Sequence, residues 1–200
     1  MVPLIGGLVA NVLQPVFFAS FALAARKQEQ GGSIEMGDLF SGFRRPLMPL
    51  ANLGALLLVA EIAIFALLAL LGLPGITADE QGVISIADYA RDLQGKEWII
   101  LVGVVLTAIV KGALWFAPAV LAFHDLPTAH AVRWSVYAAL SNLGAMMLYG
   151  VALTIAFAAG VLPWGLGLTI VIPVMLASTY AGYREVFEET AAESADATPE

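Results

Sequence analysis

The chain has 200 residues, of which 60% are hydrophobic and only 12% charged, with a formal net charge of -7 and a mean hydropathy of +0.87. A water-facing domain of this length carries about a quarter charged residues, so composition excludes a soluble globular fold. Apolar runs of helix-spanning length, without the short alternating segments of a membrane barrel, exclude an outer-membrane β-barrel.

The first apolar run covers 4–25, is interrupted by Pro15 and ends at Arg26 and Lys27. No charge precedes Arg26, so the run reads as a retained span rather than a cleaved signal peptide. The polar segment 27–46 contains MGDLFSGFRR. Asp38 is placed there to cap a short interfacial helix that puts Leu39, Phe40 and Phe43 against lipid, with an ordinary loop as the alternative.

A second span is expected over 47–71, with Glu61 inside it and Pro74-Gly75 at its end. The following loop is acidic through Asp79, Glu80, Asp88, Asp92 and Glu97, and its ISIADYARDL stretch reads as a short surface helix. The third span, 98–123, is the segment around which the rest is arranged, with Lys111 near its middle and Pro118 near its end. Residues 125–140 read as an amphipathic lead-in, in which Pro127 suits a first helical turn and His130 and Arg133 face headgroups. Fourth and fifth spans follow at 140–160 and 166–183. Trp98, Trp164, Tyr180 and Tyr183 fall near span ends, where aromatic rings favour the interface. Residues 185–200, EVFEETAAESADATPE, hold much of the negative charge and read as a solvated, disordered tail.

Arg26, Lys27, Arg44, Arg45, Arg133 and Arg184 collect on one side of this topology, against Arg91 and Lys96 on the other. The positive-inside rule puts the first set, and with it the C-terminus, in the cytoplasm.

An internal repeat accompanies the spans. Asn52-Leu53-Gly54-Ala55 opens the second and Asn142-Leu143-Gly144-Ala145 the fourth. PVFFASFALAAR from Pro15 and PVMLASTYAGYR from Pro173 share Pro, Val, Ala, Ser and Arg in register, and PAVLAF from Pro118 is a looser third copy. The repeat predicts antiparallel hairpins, an Asn-Gly helix going out and a proline-bearing helix returning. Span one is then the second half of a hairpin, in a three-hairpin design whose first helix precedes Met1.

The pieces PLIGGLVANVLQPVF, DLFSGFRR, WFAP at Trp115 to Pro118, and STYAGYREVF resemble the uncharacterised six-span inner-membrane proteins of proteobacteria, over nearly the whole chain. The resemblance implies a helical bundle with one further N-terminal span. It carries over no catalytic or ligand residue, and Glu61 and Lys111 are not part of its pattern.

Glu61 and Lys111 carry the sharpest chemistry. An uncompensated charge at mid-span costs about 2.5–3.5 kcal/mol on insertion scales. The second and third spans run antiparallel, so the two residues reach similar depth and can satisfy each other as an ion pair. That pair fixes helix register or belongs to an ion path; a third reading is that one of the two snorkels or meets a partner chain. Asn52 and Asn142 are candidate caps or interhelical hydrogen-bonding residues, and Pro15, Pro118 and Pro173 are candidate kinks. His124 and His130 lack the carboxylate company of a metal site. No cofactor motif, nucleophile elbow or glycine-rich phosphate loop is present. No basic stripe supports nucleic-acid binding, and the absence of cysteine removes disulfides and thiolate chemistry.

These readings give an all-α, polytopic transmembrane helical bundle with five spans. The expected partners are the lipid bilayer and a membrane protein or second copy. Two functions are in view: an interaction or scaffold protein without enzymatic activity, or a small transporter or channel near Glu61 and Lys111.

Overall fold

The computed structural model of the protein describes residues 2–75 and 85–189. Met1, Asp79, Glu80 and residues 190–200 lie outside the described residues. The described residues form helices and connecting turns: α1 (Val2–Glu29), a 3-10 helix (Met36–Arg44), α2 (Leu47–Leu70), α3 (Ile86–Leu93), α4 (Glu97–Ala113), α5 (Ala117–Phe123), α6 (Thr128–Ser141), α7 (Leu143–Val161), α8 (Leu168–Arg184) and a π-helical turn (Glu185–Glu189). Four stretches are long and apolar enough to cross a membrane: Gly6–Glu29, Leu47–Leu70, Glu97–Phe123 and Leu143–Val161. The fifth expected span is α8, whose 17 residues sit at the short end of the roughly 17–25 a crossing needs.

The chain divides into two compact units, Met1–Ala55 with Gly112–Glu200, and Leu56–Lys111. In the first, the core is built from the three proline-bearing segments of the repeat. Val16, Ala19 and Ala22 of α1 pack with Ala117, Ala119, Val120 and Ala122 of α5 and with Tyr180 and Tyr183 of α8. Lipid tails are as apolar as leucine, so burial from water supplies little drive between helices in a bilayer. Close van der Waals packing replaces it, and the alanines at the seam allow that approach.

Two amphipathic segments return along this core. The 3-10 helix runs back over α1. Its Gly42 N–H donates to Ser20 Oγ at 2.8 Å, and a Cβ on Gly42 would stand 2.7 Å from that oxygen and closer still to the Val16 carbonyl. Phe40 and Phe43 meet Phe17 with ring centroids at 6.3 and 5.5 Å. Lys27 Nζ binds Asp38 Oδ2 at 2.9 Å. The N-cap position falls to Glu35 and not to Asp38; Asp38, at the third helical position, reaches back to accept the Glu35 N–H at 2.8 Å. That bond and the Lys27 ammonium hold its carboxyl below the ordinary 3.8. The second segment, α6, buries Ala131, Ser135, Ala138 and Ala139, one face at helical spacing. Pro127 sits just outside the helix at the N-cap position instead of in its first turn.

The third span differs from the single helix expected over 98–123. It breaks between Ala113 and Ala117 because Pro118 has no N–H and its ring clashes with the carbonyl four residues back, that of Leu114. The turn tightens: Trp115 N–H bonds Gly112 O and Ala117 N–H bonds Leu114 O, both at 3.2 Å. This diverts Ala113 O and Phe116 N–H from their helical partners. Ser135, fully buried, takes up both, accepting from Phe116 N at 3.1 Å and donating to Ala113 O at 2.9 Å. Helices α1 and α8 run unbroken through Pro15 and Pro173, so of the three candidate kinks the break occurs at Pro118.

The second unit contains the distal part of α2, α3 and the body of α4. Leu68 closes over Gly103, whose added Cβ would lie 2.7 Å from Leu68 Cδ1. Ser85 caps α3 by accepting the Asp88 N–H at 3.2 Å, as the expected surface helix requires.

Candidate functional site

Lys111 Nζ lies 2.7 Å from Glu61 Oε1, with the two side chains 42% and 25% exposed. Both belong to the second unit, so the antiparallel spacing read from the sequence places them together. The carboxylate lies beside a shallow apolar depression of about 580 Å³ formed with Ile62, Phe65 and Ala69.

The asparagines divide. Helix α2 begins at Leu47 because Pro49 is accommodated in a first turn, where no N–H is needed. Asn52 therefore sits in the second turn on an exposed face, and is not a cap. Asn142 is the non-helical residue between α6 and α7, with φ -113° and ψ 29°. Its Nδ2 donates back to Ala138 O at 2.9 Å, within its own chain segment and not across helices.

The span-end tyrosines are buried within the bundle, Tyr180 at 7% and Tyr183 at 0% exposure. Their rings fill the seam between α8 and its neighbours, and their hydroxyls find partners there. Tyr180 Oη donates to Glu29 Oε2 at 2.6 Å, and Tyr183 Oη lies 2.9 Å from His124 Nε2. Trp98 and Trp164 are exposed. Ion pairs join Arg26 to Glu188 and Arg184 to Glu29, and the Arg26 guanidinium sits 3.8 Å from the centre of the Phe123 ring. Glu188 shows that the acidic tail starts as ordered structure. Its first residues form the π-helical turn, in which Phe187 stacks on Tyr183 at 5.2 Å and meets Phe116 edge-on at 5.9 Å. No group of three or more metal-ligating side chains occurs among the described residues.

A second concavity was not anticipated from the sequence. A groove of about 1060 Å³ opens between α5, α6, α7 and α8 of the first unit, lined by Trp115, Phe116, Met146, Tyr149, Ser178 and Glu185 among others. Its size is that of a ligand or helix-docking cleft. Tyr149 Oη meets Ser178 Oγ at 2.5 Å, and Trp115 packs edge-on against Tyr149 at 5.7 Å. A signal was present in the repeat. Where α1 has Leu23 and Ala24, α8 has the smaller Ala181 and Gly182, and both line the groove.

Apolar helices of membrane-crossing length around a small, alanine-rich seam define a polytopic helical membrane protein. The chain is 32% identical over 192 residues to a Burkholderia thailandensis protein named "Probable inner membrane protein", a match covering 90% of this chain and 68% of that one. The chain belongs to that family of inner-membrane proteins. No family model matches it, and no solved structure does.

Proposed function

We propose that the protein is an interaction or scaffold protein of the inner membrane. It has no enzymatic activity, its C-terminus is cytoplasmic, and its partner is another membrane protein or a second copy of itself. The full design is a six-span bundle of three repeated hairpins. The supporting observation is the 1060 Å³ groove, whose walls are largely aromatic and aliphatic side chains on four helices. A cleft of that kind fits a packed segment better than a transported polar solute. The arginine-rich side, with Arg26, Arg44, Arg45 and Arg184, supports the cytoplasmic assignment.

A photoreactive amino acid at Ala145, on the groove wall, tests the reading in native membranes. The expected outcome is a crosslink to a polypeptide, and recovery of lipid adducts alone overturns it. The second reading, a small transporter, draws on the partial exposure of the Glu61–Lys111 pair. Solute flux into proteoliposomes that is lost in Glu61→Leu/Lys111→Leu would favour it instead.

A further inference from the structure

We infer that the outer face of α2 and α4 joins two copies of this chain, with the Glu61–Lys111 pair of one copy set against the same pair of the other at mid-bilayer. The inference goes beyond the groove, since it concerns the second unit, and stands whatever fills the groove.

The pair is made within one copy, at 2.7 Å, yet it is not enclosed. Lys111 stands at the centre of Glu97–Phe123 and Glu61 close to the centre of Leu47–Leu70, and their side chains remain 42% and 25% exposed. Ionisable groups at that depth face a bundle interior or a water-filled cavity. The ammonium has three N–H donors, and Glu61 is its acceptor among the described residues. Hydrocarbon offers no other. The surface beside the pair suits a helix contact. Ala66 and Ala69 line the shallow apolar depression next to Glu61, and Thr107 and Ala108 lie one turn before Lys111 on α4. Small residues of this kind let a second backbone approach closely.

Symmetry selects the occupant. Copies inserted in one orientation are related by a two-fold axis along the membrane normal. Rotation about such an axis beside α2 and α4 preserves depth and sets each α2 opposite the partner's α4. Glu61 of one copy then meets the partner's Lys111, and Lys111 meets the partner's Glu61, so four charges alternate in sign at one level. A carboxylate accepts more than one hydrogen bond, so the second contact adds to the first without displacing it. A different protein with a single charge at this depth would be attracted by one member of the pair and repelled by the other. A second copy brings both signs at the right level.

The test uses the full chain carrying either of two affinity tags, co-expressed and extracted from native membranes in polymer nanodiscs. One tag is captured and the other measured. Wild type is expected to capture wild type, and Glu61→Lys/Lys111→Glu to capture itself, because the swap keeps both the pair within a copy and the match across the axis. Wild type with the swap brings like charges together, and mixed capture falls at least tenfold. Ala66→Trp, in the depression, lowers capture between otherwise wild-type copies by a similar factor, whereas Val151→Trp, exposed on α7, leaves it unchanged. If the swap does not insert, Glu61→Leu/Lys111→Leu replaces it, and its capture by wild type falls at least tenfold below that of wild type by itself. No capture between wild-type copies, equal capture in every mixture, or loss with Val151→Trp but not with Ala66→Trp overturns the inference. The crosslink from position 145 reports on the groove alone, so either result can fail while the other stands.

Discussion

Gly54 of α2 lies so close to the main chain of Val12 of α1 that an added Cβ would collide with the Val12 carbonyl. Gly144, at the same place in the second copy of the repeat, has nothing within 4 Å. The two glycines therefore respond differently to the same substitution. Gly54→Ala forces two backbones apart and costs about 1–3 kcal/mol, read as a lower melting temperature in detergent. Gly144→Ala leaves the melting temperature unchanged or slightly raised. A comparable loss at both would mean that α1 and α2 do not approach as described.

Ser135 is predicted to be the most sensitive hydroxyl among the described residues. Ser135→Ala strands the Phe116 N–H and the Ala113 carbonyl in a buried site, at about 1–3 kcal/mol for each unsatisfied group. Ser135→Thr keeps the hydroxyl and retains more stability, provided the extra methyl is accommodated. Thermal unfolding of the two variants decides it, and equal melting temperatures for Ser135→Ala and wild type would refute the bridge.

For the Glu61–Lys111 pair the informative experiment is a double-mutant cycle. Lys111→Leu leaves a carboxylate in the span and lowers stability or insertion yield, by up to about 3 kcal/mol on insertion scales. Glu61→Leu/Lys111→Leu recovers most of that loss, because removing both charges also removes both desolvation penalties. Losses that simply add would show the two groups to be uncoupled.

Asp38 sets an acid limit on the docking of the 3-10 helix. Its folded pKa lies below the ordinary 3.8, so its stabilisation is complete above that value and disappears as pH falls through the lower, folded value. The expected result is pepsin cleavage near Leu39-Phe40 that appears only below about pH 3.8. In Asp38→Asn the segment is more susceptible and the pH step is absent. Cleavage that rises between neutral pH and 5 would assign the transition to another group.

Hydropathy revealed the helical class and the beginnings of the long helices, because an apolar run of spanning length has few other folds open to it. Proline 118 was visible as a candidate kink, but the break itself was not. Residues on both sides of 114–116 are equally apolar, and the hydroxyl that bridges the gap comes from a different helix. For Tyr180 and Tyr183 the sequence carries their position near a span end, which favours the interface. What it does not carry is the face they share and the hydrogen-bond partners waiting there, Glu29 and His124. The groove drew its walls from four helices and so left only one trace in the sequence, the pair of small residues at 181–182.

The hydroxyl bridge at the third span also has a consequence for synthesis. The segment through Phe123 leaves the ribosome ahead of Ser135, so the nascent span reaches the translocon with an amide and a carbonyl whose eventual partner is still behind it in the chain. Water or the translocon wall must serve them meanwhile. Final closure of that span thus waits on the insertion of the helix that follows it, and a chain ending short of Ser135 would leave the break unbridged.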